Sequence, residues 1–508
     1  MTASWLLLAT ALVSGAALMW PLVDAGPLVL DEHGSYWIVG PDNPKSLLER
    51  SLNFAATPPL SFLLQKVSLA IGGESPLAMR VPTAICYLLA IIATFALGRE
   101  LLGPFGGGLA AVLFAWHPAV LDEVRIARMY GPSVLFAALA FWCTVRWRRA
   151  PNSLGWGLAW AFVNAGLVWS QYVNVPVVGM ELVVLAFVPP LNFRQGRRAL
   201  YLMLLAFILL LVALVPLYPT LLYLLEWGAY LTYDAVPRAI WQVVGPLWWI
   251  GLPAGLFAGV VFARRLPSFS RSANRQAWLL LLIWGIVPLF VFAVASQGTF
   301  AAMASNPRYR LAFTPASACL LAACLACFRW RAASMAAVLV TLVATWGFVG
   351  RSPFEPTRVG GRNARDWKAM AEYVQQHGEA GEPIFVQSGL VESNLLPAMF
   401  DDDVYMDYIS CRLGRFYLKT PHPRYGLPAR WYGIGNEVQV VRFYADLIDS
   451  TCNSSQSSVW VACATDTDLN RMSLAGLREI LQRRNMTAVD AQEFSTAVLI
   501  RYRCNRNQ

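Results

Sequence analysis

Apolar runs long enough to cross a bilayer recur eleven times before residue 350, at roughly 4–23, 77–98, 105–121, 131–147, 155–171, 173–190, 199–217, 243–263, 276–296, 309–328 and 332–349. Spanning needs about 17–25 mostly apolar residues, so a chain with this many runs places most of its length in lipid. Composition agrees: 57% of the 508 residues are hydrophobic and 14% are charged, against roughly 25% charged in a soluble protein. A cytosolic globular enzyme, a disordered chain and a secreted disulfide scaffold are excluded. The expected fold class is a polytopic α-helical membrane protein.

Arginine placement sets the orientation. Basic clusters occur at Arg99, at Arg146, Arg148 and Arg149, at Arg194, Arg197 and Arg198, at Arg264, Arg265, Arg271 and Arg275, and at Arg329 and Arg331. Successive clusters are two spans apart, so one assignment puts all five in the cytoplasm. The amino terminus is then cytoplasmic, and the chain beyond about 350 is outside. Residues 58–72 (PPLSFLLQKVSLAIG) would break this parity if they spanned, and they read instead as an interfacial amphipathic helix on the outer surface. Residues 4–23 lack a basic start and read as a retained span rather than a signal peptide. Residues 1–351 hold 23 basic and 12 acidic side chains, and 352–508 hold 17 and 18. The basic excess therefore belongs to the membrane part, where it sets topology rather than binding nucleic acid.

Two regions follow: a transmembrane module over 1–351, with external loops at 24–76, 121–130, 218–242 and 297–308, and an extracytoplasmic domain over 352–508. In the latter, 365–377 has helical periodicity, 383–388, 458–464 and 497–504 read as strands, and 473–484 as a helix, which together suggest a small α/β domain. Cys86, Cys143, Cys319, Cys324 and Cys327 sit in apolar stretches and read as core. Cys411, Cys452, Cys463 and Cys504 lie in the polar part and could form one or two disulfides in an oxidising compartment.

Ten of the 12 acids of the membrane module fall outside, so acid–base chemistry is expected there. Asp31 and Glu32 follow the first span. Adjacent carboxylates at a membrane surface repel each other, and desolvation raises at least one pKa, which suits a general base or a metal ligand. The alternative is a solvated loop start. The loop His117–Tyr130 packs Asp122, Glu123, Arg125 and Arg128 between two spans. Asp122 and Arg125 are spaced for an i,i+3 salt bridge; alternatively Arg125 and Arg128 grip an anionic group, since guanidinium matches phosphate oxygens. Arg308, with Tyr309, breaks the positive-inside trend and needs an external partner, and Arg80 lies on the same surface. Tyr36, Trp37 and Tyr130 accompany these charges. The combination suits a substrate with an apolar tail in lipid and a phosphate and sugar at the loops. No P-loop, dinucleotide fingerprint or zincin motif occurs. Asp401-Asp402-Asp403 reads as a solvated loop or a cation site.

These motifs, in order, resemble the GT-C glycosyltransferases, and more narrowly the branch of protein O-mannosyltransferases (glycosyltransferase family 39) and lipid A aminoarabinose transferases. The first-loop Asp-Glu matches Asp31-Glu32 with Tyr36 following; "HPPLYY" resembles Thr57–Phe62; "ALRLPSAL" resembles Ala78–Ala84. The "NP…ARMY" loop matches His117-Pro118 through Ala127–Tyr130, a late "RY" matches Arg308-Tyr309, and a "DW" helix recurs at Asp366-Trp367. The resemblance covers about 1–380. It implies transfer of one sugar from a polyprenyl-phosphate donor to an outer-face lipid, glycan or protein acceptor at the cell inner (plasma) membrane. Asp31 would be the base, and Glu32 would position acceptor or base. Arg128 and Arg308, with Arg80, would hold the phosphate, and the anomeric carbon would invert. No cofactor is implied. Ile126 stands where relatives often have Glu, with Asp122-Glu123 one turn earlier, and Thr57 replaces a histidine; these departures bear on acceptor contacts more than on the base. Two rivals remain: a metal-dependent oligosaccharyl transferase with Asp31, Asp122 or Glu123 as ligands of a divalent cation, and a lipid or solute transporter.

Overall fold

The computed structural model describes residues 2–22, 26–41, 45–55, 57–187, 197–220, 272–288, 291, 307–326, 331–355, 362–390, 392–393, 400–428, 437–453, 458–465 and 468–505. The expected span 243–263 and most of the loops 218–242 and 297–308 lie outside these residues, as do Asp24, Asn306 and Cys327.

The membrane module is a helical assembly. Helix α1 (Thr2–Leu18) leads into a first loop that holds α2 (Leu30–Val39) and α3 (Leu60–Gly72). The 13-residue α3 covers the segment expected to lie at the interface, and it is too short to span. Next comes α4 (Pro76–Ala115), started by Pro76 and by Ser75, whose hydroxyl accepts the Ala78 N–H. This stretch reverses at Gly103, where φ is +79° and Pro104 follows, so it comprises two antiparallel helical arms that fall within the apolar runs at 77–98 and 105–121, the second ending at Ala115. The reversal is tight: a Cβ on Gly107 would fall 2.6 Å from the Arg99 backbone nitrogen. After the short α5 (Pro118–Val124) come α6 (Tyr130–Arg149), α7 (Leu154–Ser170), α8 (Val175–Phe187), α9 (Arg197–Leu214), α10 (Ser272–Gly285), α11 (Thr314–Leu325) and α12 (Arg331–Val349).

Among the described residues, four stretches are long and apolar enough to cross a membrane: Ala3–Leu22, Pro76–Ala115, Arg197–Thr220 and Arg331–Val349. On α9, Leu200, Leu204, Ile208, Leu211 and Val212 are exposed, an apolar face that only lipid or another apolar surface would cover. Cys86, Cys143, Cys319 and Cys324 are buried, as expected of core residues.

The carboxy-terminal region is a three-layer α/β/α unit. Its elements are α13 (Arg362–His377), β1 (Ile384–Gln387), α14 (Asp403–Ile409), β2 (Arg424–Gly426), α15 (Glu437–Asn453), β3 (Ser458–Ala464), α16 (Asp468–Arg483), β4 (Met486–Glu493) and β5 (Ala497–Cys504). The sheet order is β2-β1-β3-β5-β4, with β1 parallel to β2 and β3, and β5 antiparallel to β3 and β4. All seven residues of β3 are buried, as a strand covered on both faces requires. Its period of two divides them. Trp460, Ala462 and Ala464 face Trp367, Met370 and Val374 of α13. Val459, Val461 and Cys463 join Val440 and Ile448 of α15 and Leu477 and Leu481 of α16. A disulfide joins Cys452 to Cys504, tying the end of α15 to the end of β5; Cys411 and Cys463 are buried thiols.

That second core does not stop at the domain edge. Leu28, Tyr36, Trp37, Ile38, Val39, Phe54, Phe62, Met79 and Ala127 of the membrane module belong to it. The carboxy-terminal domain therefore shares its packing with the first loop instead of standing apart, and α2 is the element between them.

Candidate active site

Helix α2 starts at Leu30, so Asp31 and Glu32 fall in its first turn, where carboxylates are favoured by the helix dipole. Neighbours on a helix point about 100° apart, and here they reach different environments. Glu32 is wholly buried. Its Oε1 accepts from Arg80 Nε at 2.7 Å and the Ala127 N–H at 2.8 Å, and its Oε2 from Arg80 Nη2 at 2.6 Å and the Val29 N–H at 2.9 Å. Arg80 also donates to the carbonyls of Gly26 (3.0 Å) and Pro27 (3.1 Å). This bidentate pair joins the first loop, α4 and the segment after α5 at one point. The expectation of Arg80 at a donor phosphate meets an arginine whose Nε, Nη1 and Nη2 all donate to protein.

Asp31 is different: its side chain remains 33% exposed. Its Oδ2 lies 3.3 Å from Arg308 Nη1, and its carbonyl accepts from Arg128 Nη1 at 3.3 Å. Arg308 lies over the Tyr309 ring at 5.3 Å. Burial opposes the charge on Arg128, but Asp31, Tyr130 and Tyr408 outweigh it and hold its pKa up. Arg308 behaves the same way: burial is outweighed by Tyr130, Tyr309, Asp31 and Glu123, and its pKa rises. Both guanidiniums are thus firmly charged beside an accessible carboxylate, with buried Tyr130 and Glu123 behind them.

The other expected residues go elsewhere. Asp122 pairs with Arg351 and also has a charge interaction with Arg125. Arg125 is buried, and its nitrogens donate to the carbonyls of Leu18 (3.1 Å), Glu355 (3.2 Å) and Pro353. Helix α5 ends at Val124, and Arg125 turns inward between α1 and the connector after α12. Tyr36 lies on the far side of α2, where its hydroxyl donates to Glu74 at 2.7 Å and its ring meets Phe416 edge-on at 4.7 Å.

That far side carries His33, Tyr36, Trp37 and Gly40, which border a cavity of about 290 Å³ between α2 and the soluble domain, away from Asp31. Trp37 Nε1 donates to Asp407 at 2.7 Å, and the Leu28 N–H to the Tyr417 hydroxyl at 2.8 Å. Burial, aided by Arg412, pushes His33 down to about 3, so this neighbour of the acid pair is neutral and a poor base. Asp402 of the triple-Asp run caps α14 by accepting from the N–H groups of Val404 and Tyr405, both at 2.9 Å. Among the described residues, no three His, Cys, Asp or Glu side chains converge as a metal site.

One residue at the site had no signal in the sequence. Glu392, from the segment between β1 and α14, has charge interactions with Arg128 and Asp31. Its stretch has no periodicity or motif, and only the packing of the soluble domain on α2 brings it there.

Residues 56–223 match the family model described as dolichyl-phosphate-mannose-protein mannosyltransferase. The structure resembles that of ArnT from Cupriavidus metallidurans in the apo state, at 13% identity over 97% of both chains with a TM-score of 0.58. It also resembles the same protein bound to undecaprenyl phosphate, at 14% identity, 99% and 98% coverage and a TM-score of 0.54. The Archaeoglobus fulgidus oligosaccharyltransferase tethered to an acceptor peptide matches at 11% identity over 95% of this chain and 72% of that one, with a TM-score of 0.53. The fold is that of the GT-C glycosyltransferases. None of the curated proteins matches the chain. The family match begins after Asp31 and takes in Arg80, Arg125 and Arg128, so the GT-C resemblance read from the motifs is borne out, with its first-loop acid just upstream of the matched segment. A multi-pass membrane protein accords with this fold and with the apolar helices.

Proposed function

We propose that the chain is a glycosyltransferase moving a single sugar from a polyprenyl-phosphate donor to an acceptor on the extracytoplasmic side of the plasma membrane. The observation that carries the reading is the exposed Asp31 carboxylate set between two charged arginines, Arg128 and Arg308, at the outer end of the helical module. Asp31 takes the proton of the acceptor hydroxyl, and that oxygen forms a bond to the anomeric carbon. The bond from that carbon to the lipid phosphate breaks on the opposite face, so the centre inverts. The departing phosphate gains charge that Arg128 and Arg308 neutralise, and fixed charges of this kind stabilise a transition state without reorganisation. Glu32 and Arg80 form the frame that fixes the first turn of α2.

The similarity to a protein bound to undecaprenyl phosphate supports the donor class. The Cys452–Cys504 disulfide supports an oxidising, extracytoplasmic setting for residues 352–508, in line with the arginine pattern and with about eleven spans. No metal is assigned a role, since the partners of Asp31 are cationic. The oligosaccharyl-transfer alternative draws on the likeness to the archaeal enzyme. Purified protein incubated with a panel of polyprenyl-phosphate sugars is expected to release polyprenyl phosphate, with and without chelator. Turnover lost on chelation and restored by a divalent cation would favour the alternative, and flux without sugar transfer would favour a transporter.

A further inference from the structure

We propose that the cavity between α2 and the soluble domain is a saccharide site, separate from the transfer site, which takes an acidic sugar group, one bearing a carboxylate or a phosphate.

The cavity measures about 290 Å³, near the lower end of the roughly 300–1,000 Å³ of ligand pockets. Tyr36, Arg415 and Arg424 border it, and they also border a larger hollow of about 830 Å³ that runs past Glu74 and Lys419. The two adjoin, so a sugar seated in the first has space for further units in the second.

The charge balance points to an anion. Arg50, from the first loop, lines the cavity and is only 3% exposed. Its Nη1 donates to the Trp37 carbonyl at 2.7 Å and the Gly40 carbonyl at 3.1 Å, closing the end of α2. Its Nε is buried without an acceptor, and its guanidinium carbon lies 6.0 Å from the Trp37 ring. No carboxylate of the described residues pairs with it, and burial lowers its pKa unopposed. Nearby cations are matched: Lys419 pairs with Glu74 at 3.1 Å, and Arg424 with Asp407. A buried charge is costly unless it is paired. An anion in the cavity supplies that pairing, and guanidinium suits the oxygens of carboxylate and phosphate.

The walls point to a sugar. Tyr36 and Trp37 offer aromatic surface, and ligand sites combine such walls with a few polar groups that fix orientation. His33 borders the same space as a neutral imidazole, its pKa pushed down to about 3 by burial. A neutral ring has one donor and one acceptor nitrogen. The Leu28 backbone can serve only one of them, which leaves the other for a hydroxyl. Asp403, exposed in the first turn of α14, is a further acceptor. A bare phosphate would use none of these groups. Asp31 borders neither hollow.

The test is saturation-transfer NMR on the full-length protein in nanodiscs, with glucose 6-phosphate, glucuronic acid, glucose and inorganic phosphate as probes. Both acidic sugars are expected to bind at least about tenfold tighter than glucose or phosphate, as one hydrogen bond to a charged group allows. Arg50→Gln should weaken them about tenfold and leave glucose unchanged, and Arg50→Lys should restore part of the loss. Val404→Trp, at a lining position, fills the cavity and keeps every cation. It should abolish binding, and it carries the test if Arg50→Gln lowers the Tm. Asp31→Asn should bind as wild type does. Glucose or phosphate binding as tightly as the acidic sugars would overturn the proposal, as would wild type that binds neither acidic sugar. Binding that survives both Arg50→Gln and Val404→Trp, or that is lost in Asp31→Asn, would overturn it too. The readout is binding and not transfer, so its failure leaves the transferase reading standing.

Discussion

The two faces of α2 do different work with similar residues. On the face toward the membrane module, Asp31 keeps a third of its side chain in solvent and meets two arginines that remain charged and reachable. On the face toward the soluble domain, Tyr36 and Trp37 are buried and hydrogen-bonded to Glu74 and Asp407. Between the two, Glu32 is locked to Arg80. A ten-residue helix thus presents one partly exposed carboxylate, while Glu32, Tyr36 and Trp37 are tied to protein partners and His33 is buried. The arginines divide in the same way: Arg80 and Arg125 are buried against protein acceptors, while Arg128 and Arg308 retain partial exposure. The lesson is that an arginine in such a loop is informative only once its acceptors are known.

The sharpest way to break this division is at the anchor. Arg80→Met strands a buried carboxylate at Glu32, and loss of one partner of a buried pair costs about 3–5 kcal/mol. Thermal unfolding in detergent should show a markedly lower Tm, and a double Glu32→Met, Arg80→Met variant should recover much of it. An unchanged Tm for Arg80→Met would mean the pair is not an anchor. At the reactive face, Arg308→Ala should raise the donor KM about tenfold, roughly 1.4 kcal/mol, with little change in Tm; Arg125→Ala should do the opposite, lowering Tm with donor KM kept. The smallest effect is expected on the far face. Trp37→Phe removes the bond to Asp407 and should cost about 1 kcal/mol, seen as faster proteolysis between the first loop and the soluble domain, with donor KM unaltered.

Much of the membrane module was legible because lipid imposes a simple rule. Apolar runs of fixed length mark the spans, and even the turn between 77–98 and 105–121 fell at Gly103-Pro104, where the backbone needs a positive φ. In the soluble domain β3 and β5 were legible at 458–464 and 497–504 as dense apolar runs. Strand β4 was not, since it is a sheet edge whose pattern is largely exposed; α15 and the short β2 also went unread. At the site, the pairing of Asp31 with Arg308 joins residues 277 positions apart, and no local pattern encodes that. The i,i+3 spacing of Asp122 and Arg125 was readable, whereas the pairing of Asp122 with Arg351, 229 positions on, was not. Glu392 was invisible because its place depends on how two domains share one core.

The central claim is that Asp31 acts on the acceptor and not on the donor. The most direct measurement compares wild type and Asp31→Asn, both shown to be correctly inserted, for polyprenyl-phosphate binding and for sugar transfer from a donor that wild type turns over. The account predicts that binding survives while transfer falls by about 10²–10⁴-fold, the range of a lost general base. Transfer by Asp31→Asn at the wild-type rate would contradict it.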